Sequence, residues 1–376
     1  YTTPVHKIHT VETGIKYIKR FNESNSSLSR LFGDTWTAIP SDRDLFQHVQ
    51  DIVAAYAGYS LKYKKWGLKT GIRFEGTWLN AEFPINEAMN FNTDYANLVP
   101  SGILTYQLSP SQTLRGGYSM RISRPDIWYL NPYRNTSDTL YIRYGNPNLQ
   151  AVKYHTFNLN YNYFNVKFST NINLSYTQTN NAVNEDTWME DGISYTTYKN
   201  IANAQRLNLA VLLNWNPTQK LRAYLNLRGD YADLRSNENG NIRKTGYGGS
   251  ISAGSQYMFP YDFRFNIVLY YSAPAINSVQ TIAGSYFYHN FRLSKSFMDK
   301  KLTVSMITFN PFTKKLDFTT TQKTPDFYYK LHRYEYRRRW VEMAVSYRFG
   351  EMKAKIKKAE RTIKNDDAME IEEQQP

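Results

Sequence analysis

Three groups of side chains in this sequence have types and spacings that could do chemistry. The first are carboxylates close in sequence to arginines: Glu75 beside Arg73, Asp230 beside Arg228, and Glu342 near Arg348. Two carboxylates facing each other can share acid and base work, but a carboxylate beside a guanidinium is held ionised and joins a charge network instead. The second group is the histidines, His6, His9, His48, His155, His289 and His332, most of them on different segments. The third is "RISRPDIWYLNPY", residues 121 to 133, where Arg124, Trp128, Tyr129 and Tyr133 could contact a ligand. Exposed aromatics beside arginine suit sugars or planar chelates. The same stretch can also be read as loop architecture alone, because Pro125 and Pro132 stop strand pairing. The chain has no G-x-S-x-G, no H-E-x-x-H and no phosphate-binding glycine loop. It therefore offers no catalytic residue, no metal-ligand set and no cofactor site, and reads as a protein that is not an enzyme.

The elements that must carry these residues are strands. In "FNLNYNYFNVKFSTNINLSYTQT", residues 157 to 179, Phe157, Leu159, Tyr161 and Tyr163 alternate with Asn158, Asn160 and Asn162. After a tight turn, Phe168, Ile172 and Leu174 alternate with Asn171 and Asn173. Successive side chains of an extended chain point to opposite faces, so each strand has one apolar and one amide face. Asparagine is a poor strand former, so its face must meet something that satisfies its amide. The pattern recurs at Trp66 to Trp78, Leu207 to Trp215, Leu221 to Tyr231, Phe263 to Tyr271 and Val341 to Phe349, with about 14 such segments between residues 7 and 349.

Composition narrows the solvent. Aromatics make up 16% of the 376 residues, including 32 tyrosines and 7 tryptophans, with no cysteine. The mean hydropathy is −0.60, and no window reaches the ~20 apolar residues of a membrane helix. A transmembrane barrel has the same profile, because half of each strand faces a wet lumen. The net charge of +14 comes from Lys and Arg scattered along the strands; nucleic-acid binding needs a clustered patch and is not expected.

The connections alternate in length. Short ones are expected near 63–66, 109–112, 164–166, 216–219, 260–262 and 298–300, and long ones near 22–43, 84–97, 125–152, 179–194, 232–244, 273–280 and 310–326. Tight turns at one end and long loops at the other are the signature of an outer-membrane barrel. The Phe/Leu/Ile/Val face then meets lipid and the Asn/Arg/Ser/Thr face meets water. Trp66, Trp215 and Phe297 near turns, with Trp78, Tyr176, Tyr231 and Tyr271 near loops, fit two aromatic girdles. The expected fold is all-β: a transmembrane antiparallel meander barrel over residues 1–350. Residues 351–376, first basic and then acidic, form a charged tail.

"RISRPDIWYLNPY" together with "YGNPNL" at 144 to 149, "GLKTGIRFEGT" at 67 to 77 and "VSYRFGEMKAKIKKAERTIKND" at 345 to 366 resembles the C-terminal barrel of TonB-dependent outer-membrane receptors, especially their Bacteroidetes branch. The resemblance runs over nearly the whole chain and is carried by the order of short motifs. It implies a barrel of about 22 strands with an N-terminal plug, of which this chain would be the C-terminal part, without the plug or the segment that engages TonB. It further implies energised uptake of a bulky nutrient such as an iron chelate, cobalamin or a glycan. The expected partners are outer-membrane lipid and lipopolysaccharide, TonB through the missing segment, and the barrel-assembly machinery through the strand ending at Phe349. The tail would be periplasmic. Two alternatives remain open: a passive 14-strand pore or fatty-acid-type channel, and an outer-membrane hydrolase or adhesin. The G-N-P-N sequence is turn chemistry: Gly145 can take positive φ, and Pro147 fixes its own φ.

Overall fold

A computed structural model describes residues 1–134, 138–236, 242–277, 281–323, 328–335 and 339–349. The tail expected at 351–376 lies outside the described residues. In chain order the strands are β1 (Thr2–His6), β2 (His9–Phe32), β3 (Thr35–Tyr63), β4 (Trp66–Glu82), β5 (Phe91–Ser109), β6 (Gln112–Ser123) and β7 (Tyr141–Arg143). They continue with β8 (Val152–Phe164), β9 (Phe168–Glu190), β10 (Ile193–Trp215), β11 (Leu221–Ser236), β12 (Arg243–Met258) and β13 (Phe263–Ser272). The last are β14 (Ala275–Ile276), β15 (Thr281–Ala283), β16 (Tyr286–Phe297), β17 (Leu302–Phe309), β18 (Leu316–Lys323), β19 (Tyr328–Glu335) and β20 (Trp340–Tyr347). One α-helical turn, α1 (Ile127–Leu130), lies between β6 and β7.

The wall is a single antiparallel meander in the order β1-β2-β3-β4-β5-β6-β8-β9-β10-β11-β12-β13-β16-β17-β20. Its long members from β2 to β20 match the count expected from the alternation, and β1 adds a short strand on the edge of β2. Among the described residues β1 and β20 do not pair with each other, so the sheet is open. Four short strands, β14, β15, β18 and β19, form a separate sheet.

The faces sort as the alternation requires. Ile72, Phe74, Trp78, Phe157, Leu159, Leu207 and Leu209 are exposed on the outer face, the apolar band that a membrane barrel turns to lipid. The asparagines face inward: Asn158, Asn160, Asn162, Asn171 and Asn173 line a trough of about 560 Å³ with Arg115. Asn171 donates to Asn162 Oδ1 at 2.5 Å, and Asn162 donates to Asn160. The amides thus satisfy one another and the lumen water, which removes the objection to asparagine in a strand. Arg73 pairs with Glu75 at 2.5 Å and Arg228 with Asp230 at 3.4 Å; no ion pair joins Glu342 to Arg348 among the described residues.

Two expected loops are strands. Residues 22–43 continue β2 and β3, paired out to Phe32↔Thr35, and 179–194 continue β9 and β10 to Glu190↔Ile193. Ser24 to Ser29 and Asn180 to Asn184 suggest loops because Ser and Asn are weak strand formers, yet cross-strand backbone hydrogen bonds hold them extended. The second hairpin closes on Asp191 and Gly192, both at positive φ (51° and 77°), the backbone that an Asp-Gly pair favours in a two-residue turn.

Candidate functional site

Near its end β6 leaves the wall. Its ladder with β5 stops at Ser101↔Ser119, while its pairing with β8 runs on to Ser123↔Val152. Met120 and Ile122 share the parity of outward Tyr118, yet they are buried against Val99 of β5, an inner-face neighbour of Arg73. Beyond Ser119, therefore, β6 crosses the inner wall of β5 and carries the residues that follow, 124–134 and 138–151 among those described, into the lumen.

Arg124 is the first residue after that crossing and is 1% exposed. Its Nη2 donates to Glu75 Oε2 at 2.5 Å, and its Nε and Nη2 donate to Thr77 Oγ1 at 3.2 and 3.1 Å. Glu75, itself buried, also accepts from Arg73. A buried guanidinium is tolerated only when it is paired and hydrogen-bonded in this way. Asp126 then caps α1, accepting from Ile127 N at 2.6 Å. Leu130 enters an apolar cluster with Phe46, Leu79, Ala81, Phe83 and Leu149, in which the Phe46 and Phe83 rings stack at 4.6 Å.

The return half of the segment is fastened by its backbone. Gly145 N donates to Asn131 O and Asn146 N to Tyr129 O, both at 2.7 Å. Gly145 does not use the positive φ open to it. Its lack of a side chain is needed for close approach, because a Cβ would stand 2.5 Å from Asn131 O and 2.7 Å from Tyr129 O. Asn146 Nδ2 donates to Tyr198 O at 2.8 Å. β7 adds in parallel to Ser194–Thr196 of β10, on the stretch that β11, starting at Ala202, leaves unpaired.

Of the residues singled out in sequence, Arg124 is thus an internal strut, and the other three lie on the inward segment. Trp128 is 57% exposed. Tyr129 is half-buried and meets Tyr198 edge-on at 4.6 Å. Tyr133 is half-buried, its N–H bound to Asn131 Oδ1. Burial first, then the charges of Glu185 and Asp126, raise the Tyr129 hydroxyl above its ordinary value, so it remains a neutral donor. The fold also brings up residues the sequence did not point to. The Arg134 guanidinium lies 5.0 Å over the Tyr144 ring, Tyr144 meets Trp188 edge-on at 6.5 Å, and Trp188 stacks on Tyr195 at 5.7 Å. The available signal was the Asp-Gly turn, which makes Trp188 and Tyr195 cross-strand partners. The result is an aromatic surface edged by guanidinium, able to stack on a planar or ring-shaped ligand and to attract its negative charge. Among the described residues no group of three His, Asp or Glu is placed to hold a metal ion.

A second inward segment follows β13. Pro274, Ala275 and Ile276 lie on the inner face of β12, where a Cβ on Gly246 would be 2.6 Å from Ile276 Cδ1 and one on Gly248 3.2 Å from Pro274 O. Arg206 Nη2 reaches Asn277 O at 3.4 Å, and Phe318 of β18 meets Tyr286 of β16 at 5.5 Å. β19 pairs only with β18 among the described residues and exposes Tyr328, Tyr329, Leu331 and Tyr334.

Sequence comparison assigns residues 1–347 to the outer membrane protein beta-barrel family. No curated protein matches the chain in sequence. Solved structures share its fold at low identity. The copper transporter OprC superposes with a TM-score of 0.66 at 14% identity, covering 91% of this chain and 54% of its own. The FrpB iron transporter of Neisseria meningitidis (F3-3 variant) gives 0.63 at 12%, covering 93% and 54%. The ferric yersiniabactin uptake receptor FyuA of Yersinia pestis gives 0.63 at 13%, covering 93% and 52%. The chain spans about half the length of these structures. It belongs to the outer membrane protein beta-barrel family, whose place is the outer membrane.

Proposed function

We propose that this member of the outer-membrane barrel family is the C-terminal wall and ligand-facing mouth of a TonB-dependent receptor that imports a bulky nutrient, an iron chelate, cobalamin or a glycan, without making or breaking covalent bonds. The observation that carries this reading is the inward segment 124–151, an aromatic and guanidinium surface fixed to the inner wall by a buried ion pair and an apolar cluster. The fold shared with proteins named as transporters and an uptake receptor supports the same class.

In this reading Trp128, Tyr129, Tyr133 and Tyr144 contact the ligand, and Arg124 positions them. TonB energises the receptor, residues 351 to 376 hang in the periplasm, and the barrel-assembly signal lies at the last strand, which ends at Tyr347 rather than at the expected Phe349. The test is uptake of the nutrient that induces the gene, measured in cells carrying the full-length protein. Trp128→Ala with Tyr144→Ala is expected to weaken ligand binding by about tenfold, the scale of two lost stacking contacts. Collapsing the proton gradient should stop uptake while leaving binding in place. Uptake that persists without the gradient would mark a passive channel and reject the proposal.

A further inference from the structure

The departure of β6 from the wall has a local cause, and it leaves a cavity behind. Gln107 N donates to Lys65 O. Backbone groups alternate sides along a paired strand, so odd residues of β5 turn theirs to β4 and even residues to β6. The pair after Ser101↔Ser119 would set Pro100 against Met120. Pro100 has no N–H to offer β6, and the ladder stops there. From that point β6 laps over the inner face of β5, and Val99, Met120 and Ile122 close the overlap.

Under the crossing a cavity of about 710 Å³ opens on the inner wall. Gly58 pairs with Gly71 and Gly71 with Ser101, so the floor across β3, β4 and β5 is almost bare of side chains. The apolar lining is aliphatic, with Ile18, Ile52, Ala54, Val99 and Ile122 among it, and Tyr56 supplies the one ring among the described residues. The charged lining is unequal. Lys16, Lys69, Arg73 and Arg121 stand against two carboxylates, Glu12 and Glu75. Glu75 is taken up by Arg73 and Arg124, and Glu12 lies 3.9 Å from Lys69. Arg121 is exposed, faces inward with Ser119, and is held by no ion pair or hydrogen bond among the described residues.

An uncompensated guanidinium beside an aliphatic hollow suits a ligand with two matching halves. An aliphatic body gains by leaving water, and an anionic head accepts charge-assisted hydrogen bonds from arginine. The volume is that of a small-molecule site. A ring system would find little to stack on here, unlike beside Tyr144 and Trp188. We propose that this cavity binds an acyl anion, with its chain on Ile52, Ala54 and Val99 and its charged end on Arg121. The overlap of Val99 with Met120 and Ile122 shuts the cavity from the bilayer, so the ligand is a solute that arrives through the lumen. None of Trp128, Tyr129, Tyr133 and Tyr144 lines the cavity, and the site is independent of the surface assigned to the imported nutrient.

The test uses purified full-length protein in neutral detergent, titrated with decanoate, decanol or butyrate and read by native mass spectrometry. Decanoate should bind saturably. Decanol, which lacks the charge, should bind about tenfold more weakly, the scale of a charge-assisted hydrogen bond, and butyrate, which lacks most of the chain, more weakly still. Arg121→Gln should weaken decanoate by about tenfold and leave decanol unmoved. Ser101→Phe, which stands a ring on the bare floor, should weaken both. Arg228→Gln, which removes a lumen charge outside the cavity, should change neither. A heat-dependent shift in gel mobility, the same for every variant, verifies that each barrel is folded. Equal binding of decanoate by the Arg121 variant, equal affinity for decanol and decanoate, an equal loss in the Arg228 variant, or no saturable binding would overturn the proposal. Nutrient uptake by the Arg121 variant, expected at the normal rate, reads the transport proposal separately.

Discussion

Two parts of the chain fold from the loop end into the lumen, and they are anchored unequally. Residues 124–134 and 138–151 are fixed by a buried Arg124–Glu75 pair, Leu130 in an apolar cluster, backbone hydrogen bonds from Gly145 and Asn146, and side-chain hydrogen bonds from Asn146 and Asn200 to backbone. Strands β14, β15, β18 and β19, which flank the wall strands β16 and β17 in sequence, contribute no described residue to either apolar cluster. β14 rests on Gly246 and Gly248 of β12 through the Ile276 side chain, Ala275 and the Pro274 carbonyl. The difference shows how a barrel can hold one ligand surface fixed and leave another free to yield. Few buried apolar contacts mean a low free energy of local opening. In an uptake receptor the first segment would present the binding surface and the second would give way as the ligand passes.

The sharpest way to break the comparison is to remove the strut. Arg124→Met leaves Glu75 buried with Arg73 as its remaining ion-pair partner, and should cost about 2–3 kcal/mol, the scale of charged hydrogen bonds lost without stranding the carboxylate. Chemical unfolding reads the loss, and limited proteolysis should locate new cuts within 124–151 while cutting at β14, β15, β18 and β19 stays as before. A smaller effect is expected from Gly145→Ala. The added Cβ meets backbone oxygens that cannot rotate away, and overpacking of this kind costs about 1–3 kcal/mol. It should loosen the return half of the segment without disturbing the Arg124 pair.

Gly246→Val should act on the other segment alone. Its Cβ meets the flexible end of Ile276, so β14 can shift away, at a cost of about 1 kcal/mol. Faster proteolysis around 275–283 with unchanged barrel stability is the expected result. Smallest of all, Trp128→Ala should change stability by less than about 0.5 kcal/mol, as for exposed side chains generally, so any loss of binding by that variant reports ligand contact rather than unfolding.

Much of the wall could be read from the sequence because its code is local. The alternation at Phe157 to Tyr176 states which side chains meet lipid, and the spacing of turns states that neighbours pair, so strand number and faces followed. The hairpins through 22–43 and 179–194 were harder to read, since Ser and Asn runs look the same in a loop and in a strand whose backbone is already paired. The inward segment was legible only as a cluster of interesting residues. Nothing near Arg124 says that its partner is Glu75, 49 positions earlier, and a residue that looks poised for a ligand proves to be internal. Trp188 and Tyr195 join Tyr144 through strand register and a loop crossing, long-range facts that single-sequence periodicity does not carry.

The central claim is the asymmetry of the two inward segments, and amide hydrogen exchange in the full-length protein, in outer-membrane vesicles, tests it most directly. The amides of Asn131, Gly145 and Asn146, bonded within the packed segment, should exchange slowly, as those of the wall strands do. Amides along β18 and β19 should exchange orders of magnitude faster through local opening. Equal protection in the two segments, or faster exchange in 124–151 than in β18 and β19, would contradict the account.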